Sequence, residues 1–244
     1  MSSKYSLTFL ALAVLVVTTA VINRPLLGWG LWILIYFASN LVLVSIAYAG
    51  LGPSLFGKSR CGILPWHRKV LLAPYFLLNE VSFQLFRLKS SEPAIGEAAS
   101  NLHFGRRLTA SEGRQLARDH GWQGVLDLTC EFSEVFPLRQ LANYRSVPVL
   151  DATPPDAVRI AESVSWISEH VAKHPIYVHC ALGHGRTATI VIAYLVKTGE
   201  AASIDEALKK LVSLRAGVDL HPSQRATLVQ FLSMHHDSET RAEF

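Results

Sequence analysis

The sequence is poor in charge, and its first third contains no acidic residue. Asp, Glu, Lys and Arg make up only 17% of 244 residues, whereas 50% are hydrophobic. The first carboxylate is Glu80, so residues 1–79 hold six of the 23 basic residues and none of the 19 acidic ones. So apolar a composition excludes intrinsic disorder. Because the excess positive charge lies in an apolar front region, the pI of about 9.0 does not indicate a nucleic-acid partner.

Cysteine is scarce as well. Cys61, Cys130 and Cys180 are odd in number and far apart. They form neither a disulfide framework nor a closely spaced metal-binding pair. We therefore expect free thiols in a reducing compartment, with no metal and no cofactor.

Two long uncharged stretches predict a membrane anchor. Nineteen uncharged residues separate Lys4 from Arg24, and 33 separate Arg24 from Lys58. A helix needs about 20 apolar residues to cross a bilayer, so we predict transmembrane helices over residues 5–22 and 26–51. A cleaved signal peptide is the alternative for the first span, but the second span would remain.

The distribution of basic residues predicts the orientation of the anchor. Four of them follow the second span, against one in the hairpin: Lys58, Arg60, Arg68 and Lys69 against Arg24. The positive-inside rule then predicts a multi-pass protein whose termini and C-terminal domain are cytoplasmic.

We divide the chain into a two-helix anchor (1–57), a basic and apolar segment with a linker (58–100), a globular domain (101–236) and a polar tail (237–244). Aromatic and basic residues in 63–88 favour a segment lying among lipid headgroups. The alternative is a helix that packs on the globular domain through Leu78, Val81, Leu85 and Leu88.

From residue 101 onward, short β-type runs alternate with amphipathic helices, which predicts an α/β fold around a buried sheet. We predict strands at 102–106, 124–128, 146–150 and 176–179. Predicted helices start at Thr109, near Pro155 with Val158 facing inward, and at 186–198, 203–215 and 222–234.

One loop carries the chemistry. An apolar strand ends at Cys180, a glycine-bearing loop follows, and a helix starts near Arg186. Inward N–H groups and a helix N-terminus favour an anion in such a loop. The same groups, together with Arg186, favour the thiolate form of Cys180, and the planar guanidinium can bind two phosphate oxygens.

The segment HCALGHGRT at residues 179–187 resembles the HCxxGxxR[ST] signature of the cysteine-dependent protein tyrosine phosphatase superfamily, in its dual-specificity branch. The resemblance extends over about residues 101–234. It implies a protein tyrosine phosphatase-like central sheet flanked by helices, here preceded by two transmembrane helices, and a metal-free phosphatase activity with a phosphocysteine intermediate.

The resemblance also implies a role for each matching residue. Cys180 is the nucleophile, and Arg186 and the loop residues Ala181, Leu182, Gly183, His184 and Gly185 bind the phosphate. Thr187 hydrogen-bonds the sulfur as it leaves, and His179 orients the loop from behind. The general acid is Asp151. Asp156 is the alternative, and it comes second because it can instead stabilise the N-terminus of the following helix.

Several assignments stay open at this stage. His184 either contacts substrate or only fills the loop, and Gln224 either positions water or lies on a helix surface. Cys130 is either a buried spectator or a partner for a reversible disulfide with the nucleophile.

Substrate and activity class are also open. The substrate is either a phosphorylated protein or a membrane phospholipid monoester such as phosphatidylglycerophosphate, since the loop is similar to those of phosphatidylglycerophosphate phosphatases and of protein phosphatases. A catalytically silent module that binds phospho-ligands at the membrane is the alternative to an enzyme. A rhodanese-like sulfur carrier is disfavoured by the Arg186–Thr187 pair.

Overall fold

A computed structural model describes the backbone of residues 2–242 and the side chains of residues 4–234. The chain forms two compact units. The N-terminal unit comprises Met1–Lys58 and Leu64–Lys89, and the α/β unit comprises Ser59–Ile63 and Ser90–Phe244.

The N-terminal unit is helical. Its elements are α1 (Ser2–Ile22), α2 (Arg24–Leu27), α3 (Gly30–Ile46), a π-helical turn (Ala47–Leu51), a 3-10 turn (Gly52–Phe56), α4 (Trp66–Leu71) and α5 (Ala73–Lys89). Helices α1 and α3 pack together, and the Ser45 hydroxyl donates to the Ser6 carbonyl at 2.8 Å. The Tyr48 ring lies 5.4 Å from that of Tyr5. A polar contact and ring packing thus join the two apolar segments.

The two predicted spans differ in regularity. The segments Lys4–Ile22 and Gly30–Phe56 are both long and apolar enough to cross a membrane. The first span is one continuous helix, but the expectation of a single helix over 26–51 is wrong. The helix is interrupted at Gly28 and again at Gly50, where φ is +149°. Residues with a Cβ rarely adopt this conformation.

Large apolar side chains cover the outside of the N-terminal unit. Trp29 is 87% exposed and Leu88 is 82% exposed. An apolar surface of this extent is unusual for a protein in water and suits a lipid environment. All four side chains of the helix stripe considered as an alternative for 63–88 are exposed: Leu78, Val81, Leu85 and Leu88.

The α/β unit is built on a five-stranded sheet in the order β1-β2-β5-β3-β4. The strands are β1 (Ile95–Ala99), β2 (Leu102–Gly105), β3 (Gly124–Thr129), β4 (Asn143–Val149) and β5 (Ile176–His179). All pairs are parallel except β1 with β2. The helices are α6 (Ala110–Asp119), α7 (Phe136–Arg139), α8 (Ala157–Val171), α9 (Gly185–Lys197), α10 (Ile204–Leu214) and α11 (Pro222–Ala242).

The four predicted strands are confirmed within a few residues, but placing residues 90–100 in a linker is wrong for β1. Ile95–Ala99 contains glycine, glutamate and two alanines, which have low strand propensity. The strand forms because it pairs with the fully buried β2, with Ile95 opposite Gly105. The sheet therefore begins before the predicted domain start at residue 101.

Helix starts agree with the sequence better than helix faces and ends do. Thr109 caps α6 in a capping box with Glu112, and Ser203 caps α10, as predicted. Val158 is exposed, however, because α8 buries the stripe of Ile160, Val164 and Ile167 against the sheet. Helix α11 continues through the predicted tail to Ala242, since no glycine or proline interrupts it; residues 243–244 lie outside the described part.

The core positions β5 at the centre of the sheet. Ile176 and Val178 are buried in the main cluster with residues of α8, α9 and α11. On the opposite face, Tyr177 stacks on Trp122 with ring centroids 4.4 Å apart. Packing on both faces fixes the C-terminal end of β5, from which the loop at Cys180 leaves.

Candidate active site

The loop predicted to bind phosphate joins β5 to the N-terminus of α9. Cys180 is buried, and the Gly183 N–H donates to its Sγ at 3.3 Å. Helix α9 starts five residues later at Gly185 and directs its positive end toward the loop. The backbone amide and the helix end both place partial positive charge next to the sulfur.

Neighbouring elements require glycine at Gly183. Its φ is +76°, and a Cβ there would overlap the Arg215 guanidinium and the Gly105 carbonyl. The Arg107 N–H also donates to the Ala181 carbonyl at 2.9 Å. The loop is therefore held tightly against the end of β2.

Arg186 is the most strongly held side chain of the site. Its guanidinium is buried and bound in a bidentate pair to Glu131, with Nη2–Oε1 at 2.6 Å and Nη1–Oε2 at 2.9 Å. Nη1 also donates to the Val149 carbonyl at 2.9 Å, and Nη2 lies 3.0 Å from Asp151 Oδ1. These contacts orient the plane of the guanidinium.

The electrostatics of Arg186 follow from these partners. Burial alone would lower its pKa, but Glu131, Asp151 and Cys180 raise it well above the usual range. Of its N–H groups, the buried Nε–H has no hydrogen-bond partner among the described residues. The Nε–H can bind an anion, and so can the Nη2–H that faces Asp151 if the carboxylate moves away.

The two candidate acids lie in different surroundings. Asp151 follows β4, and its exposed side chain pairs with Arg186. Asp156 caps α8, accepting from the Arg159 N–H at 2.8 Å. The alternative role considered for Asp156 is thus the one the structure shows, whereas Asp151 reaches the guanidinium next to Cys180.

Gln224 is buried between the segment after β4 that carries Asp151 and the loop that carries Cys180. Its Nε2 donates to the Thr153 carbonyl at 3.3 Å, and its side chain would contact a Cβ at Gly185. The expectation of a surface position on its helix is wrong. Gln224 instead connects α11 to the segment that carries Asp151.

A second ion-pair cluster supports the loop from behind. Arg215, which is fully buried, donates to the carbonyls of Leu182 at 3.0 Å and Gly183 at 3.2 Å. Glu92 binds both Arg215 at 2.7 Å and His184 Nε2 at 2.8 Å. Burial opposes the charge of Glu92, but its bonds to His184, the Gly217 N–H and Arg215 lower its pKa. His184, which lies in the loop, is therefore held by Glu92, which lies outside it.

His179, the residue before Cys180, belongs to a buried polar network. Its Nε2 lies 2.6 Å from Glu134 Oε2, and its Nδ1 lies 3.1 Å from the Cys180 carbonyl. The Tyr144 hydroxyl donates to Asp127 at 2.7 Å. Ligand atoms of Asp127, Glu134 and His179 lie within 4.8 Å of one another, a spacing that a metal ion could bridge. In this structure those atoms are engaged by the His179–Glu134 and Tyr144–Asp127 contacts.

Two further predicted side chains lie nearby. Thr187 is buried, and its hydroxyl has no hydrogen-bond partner among the described residues, so its bond to the departing sulfur stays a prediction. Cys130 is buried, and its thiol donates to Glu131 at 3.4 Å. Ala181 and Leu182 are partly exposed at the loop surface.

Glu131, Glu92 and Arg215 were missed from the sequence. Glu131 lies two residues after β3 in a run that also holds Glu134, and this pair of acidic residues after a buried strand could have marked it. Glu92 and Arg215 lie 92 and 32 residues from their loop partners, and no local pattern connects them.

Comparison with protein families gives one match over this unit. The dual specificity phosphatase catalytic domain matches residues 106–234, more than half of the chain. The match includes the loop with Cys180 and Arg186, and it ends within α11.

Curated relatives and solved structures are similar over the same region. The phosphatidylglycerophosphate phosphatase PTPMT2 of Arabidopsis thaliana is 30% identical over 117 residues, covering 46% of this chain and 51% of the relative. The Rattus norvegicus phosphatidylglycerophosphatase and protein-tyrosine phosphatase 1 is 27% identical over 138 residues, covering 53% and 69%. The chain thus spans about half the length of the plant relative. The structure of PTPMT1 in complex with PI(5)P has a TM-score of 0.54 at 21% identity, covering 62% of this chain and 99% of that one, and shares the fold.

Replacing Glu131 should disable Arg186. Glu131→Ala leaves a buried guanidinium without its main partner, which costs about 3–5 kcal/mol in stability. We expect a lower melting temperature and a loss of phosphatase turnover. The exposed Glu169→Ala is the matched control, and a Glu131→Ala protein with unchanged melting and turnover would contradict the assignment.

The His179 network predicts a pH dependence of stability. Burial alone would lower the pKa of His179, but the charge and hydrogen bond of Glu134 and the charge of Asp127 raise it to about 9. A raised folded-state pKa adds stability that is complete below about pH 6.5 and is lost as the pH rises through 9.

Thermal unfolding between pH 6 and pH 10 tests this dependence. The wild-type melting temperature should fall across that window, and Glu134→Gln should be less stable at pH 6 and show a smaller fall. Parallel curves for the two proteins would rule out the Glu134–His179 pair as the cause.

Proposed function

The chain belongs to the dual specificity phosphatase family, and we propose that it is a membrane-anchored phosphatase that hydrolyses a phospholipid monoester through a phosphocysteine intermediate. The observation that carries the chemistry is the meeting of Cys180, Arg186 and Asp151 at the N-terminus of α9. The three residues supply a nucleophile, an anion-binding group and an acid in one place.

In the first step, the Cys180 thiolate attacks phosphorus. A P–S bond forms and the bond from phosphorus to the ester oxygen breaks. The loop amides, the positive end of α9 and Arg186 stabilise the charge on the equatorial oxygens. Asp151, in its protonated form, gives its proton to the departing alkoxide.

In the second step, water attacks the phosphocysteine. The Asp151 carboxylate takes a proton from the water, an O–P bond forms, and the P–S bond breaks to return the thiolate. Inorganic phosphate leaves, and no metal or redox partner is needed to balance the reaction.

The pairing of Asp151 with Arg186 explains how the acid is released. A phosphate that binds two guanidinium N–H groups needs the Nε–H, which is unpaired, and the Nη2–H that faces Asp151. Substrate binding therefore displaces the carboxylate from Arg186. The freed side chain, already exposed, can then turn toward the leaving group.

Two observations favour a lipid substrate. The plant and rat relatives are both named for phosphatidylglycerophosphate hydrolysis. The N-terminal unit has two segments able to cross a membrane, and tethering raises the local concentration of lipid substrate. The rat relative is also named a protein-tyrosine phosphatase, which makes phosphotyrosyl proteins the second candidate.

We also propose that the α/β unit is cytoplasmic and that the cluster of basic residues following the second span sets this orientation.

The role of Asp151 predicts a dependence on the leaving group. Asp151→Asn should lower kcat for a phospholipid monoester by about 10²–10⁴, because its alkoxide must be protonated to leave. The loss should be much smaller for p-nitrophenyl phosphate, whose phenoxide leaves readily. Asp156→Asn is the matched control. Equal losses on both substrates would contradict a general-acid role.

Substrate class is tested with the full chain in neutral detergent micelles. Phosphatidylglycerophosphate and a phosphotyrosyl peptide are compared at equal concentration by phosphate release, and Cys180→Ser should abolish release from both. A higher kcat/KM for the lipid supports the proposal, and a higher value for the peptide favours the second candidate. Inertness toward both, with retained binding, would favour a silent binding module.

A further inference from the structure

Outside the catalytic loop, the α/β unit has a cleft of about 520 Å³ at its β4 edge. Three arginines line it: Arg60, Arg145 and Arg159. Glu162 is the only acidic lining residue, so the cleft has a net positive charge. Neither Cys180 nor Arg186 lines the cleft, which makes it separate from the catalytic loop.

The arginines come from three different elements. Arg145 lies on β4, Arg159 lies in the first turn of α8, and Arg60 lies in the short segment before α4. The Gly62 carbonyl accepts from the Glu134 N–H at 2.8 Å, which anchors the segment of Arg60 to this unit. Guanidinium groups that converge from separate elements suit an anion with several oxygens.

The existing ion pairs leave these arginines available. Arg145 pairs with Glu162 at 3.0 Å and Arg159 pairs with Asp156, and both side chains are more than a third exposed. Exposed pairs of this kind contribute little and exchange readily with a competing anion. Within the described residues, Arg60 makes no ion pair.

We propose that this cleft binds the phosphate-bearing headgroup of an anionic membrane lipid. Its volume lies in the range typical of sites for organic ligands, about 300–1,000 Å³, and exceeds what a bare phosphate would fill. The lining is mostly polar, which suits a headgroup more than an acyl chain. Added strand pairing by a peptide is disfavoured, because Pro148 lacks an N–H and arginines cover the edge.

The sequence position of Arg60 makes a lipid the favoured source of the anion. Arg60 follows Phe56, the last residue of the second apolar segment, by four residues. Four residues of chain reach at most about 14 Å. If that segment crosses the bilayer, Arg60 lies within reach of the headgroups at its end. The inference therefore rests on the anchoring part of the proposed function and adds a lipid site that is not the substrate site.

The test measures lipid binding by the full chain in neutral detergent, with a phosphodiester lipid that has no phosphomonoester for the catalytic loop. Isothermal titration with dihexanoyl phosphatidylglycerol is compared between the wild type and the triple variant Arg60→Gln/Arg145→Gln/Arg159→Gln. We expect at least about tenfold weaker binding, since each basic group near a lipid surface contributes severalfold. Dihexanoyl phosphatidylcholine should bind neither protein.

A charge-matched triple variant controls for nonspecific attraction. Arg114→Gln/Arg118→Gln/Lys209→Gln removes the same charge from exposed positions outside the cleft and should bind phosphatidylglycerol like the wild type. Turnover of p-nitrophenyl phosphate within twofold of the wild type shows that each variant is folded.

Two outcomes would overturn the inference. Equal loss of binding in both triple variants would show that only net charge matters. Inorganic phosphate that binds as tightly as the lipid, with the same dependence on the cleft arginines, would reassign the cleft to a soluble anion. Alkaline carbonate extraction of membranes tests the anchor by itself, so failure of anchoring is distinguishable from failure of the cleft.

Discussion

The buried pair of Arg186 and Glu131 is the interaction on which the active site depends. A guanidinium is costly to bury unless its charge is paired and its N–H groups are satisfied. Glu131 and the Val149 carbonyl satisfy most of them and hold the fork in one plane. The Arg186 side chain is therefore already ordered before a ligand binds, which lowers the entropic cost of binding.

The loop itself is supported by two further carboxylates from distant parts of the chain. Glu92 binds Arg215 and His184, and Glu134 binds His179, the residue directly before Cys180. Each of these carboxylates binds a basic side chain that contacts the loop backbone or belongs to the loop. The backbone N–H groups are thus fixed in position by ion pairs rather than by the short loop sequence alone.

The sequence predicts the parts of the site that are local and misses those that are not. Cys180 and Arg186 share one turn, and the strand before them is an apolar run, so a motif and a hydrophobic pattern identify both. Glu131 meets Arg186 from 55 residues away, and only the assembled sheet brings them together. Strand β1 has weak propensity and forms through its pairing with β2. On α8, Val158 was wrongly placed inward, because apolar residues occur on both sides of the helix and packing on the sheet decides between them.

The two units interrupt each other along the chain. Ser59–Ile63 belongs to the α/β unit, Leu64–Lys89 belongs to the N-terminal unit, and the chain then returns at Ser90. A single cut cannot separate a whole enzymatic module from the helices, since a fragment beginning at Asn101 would lack β1, Glu92 and the residues around Arg60. During synthesis, the α/β unit is completed only after the intervening helices have been made, so complete folding of this unit has to wait until α4 and α5 have been translated.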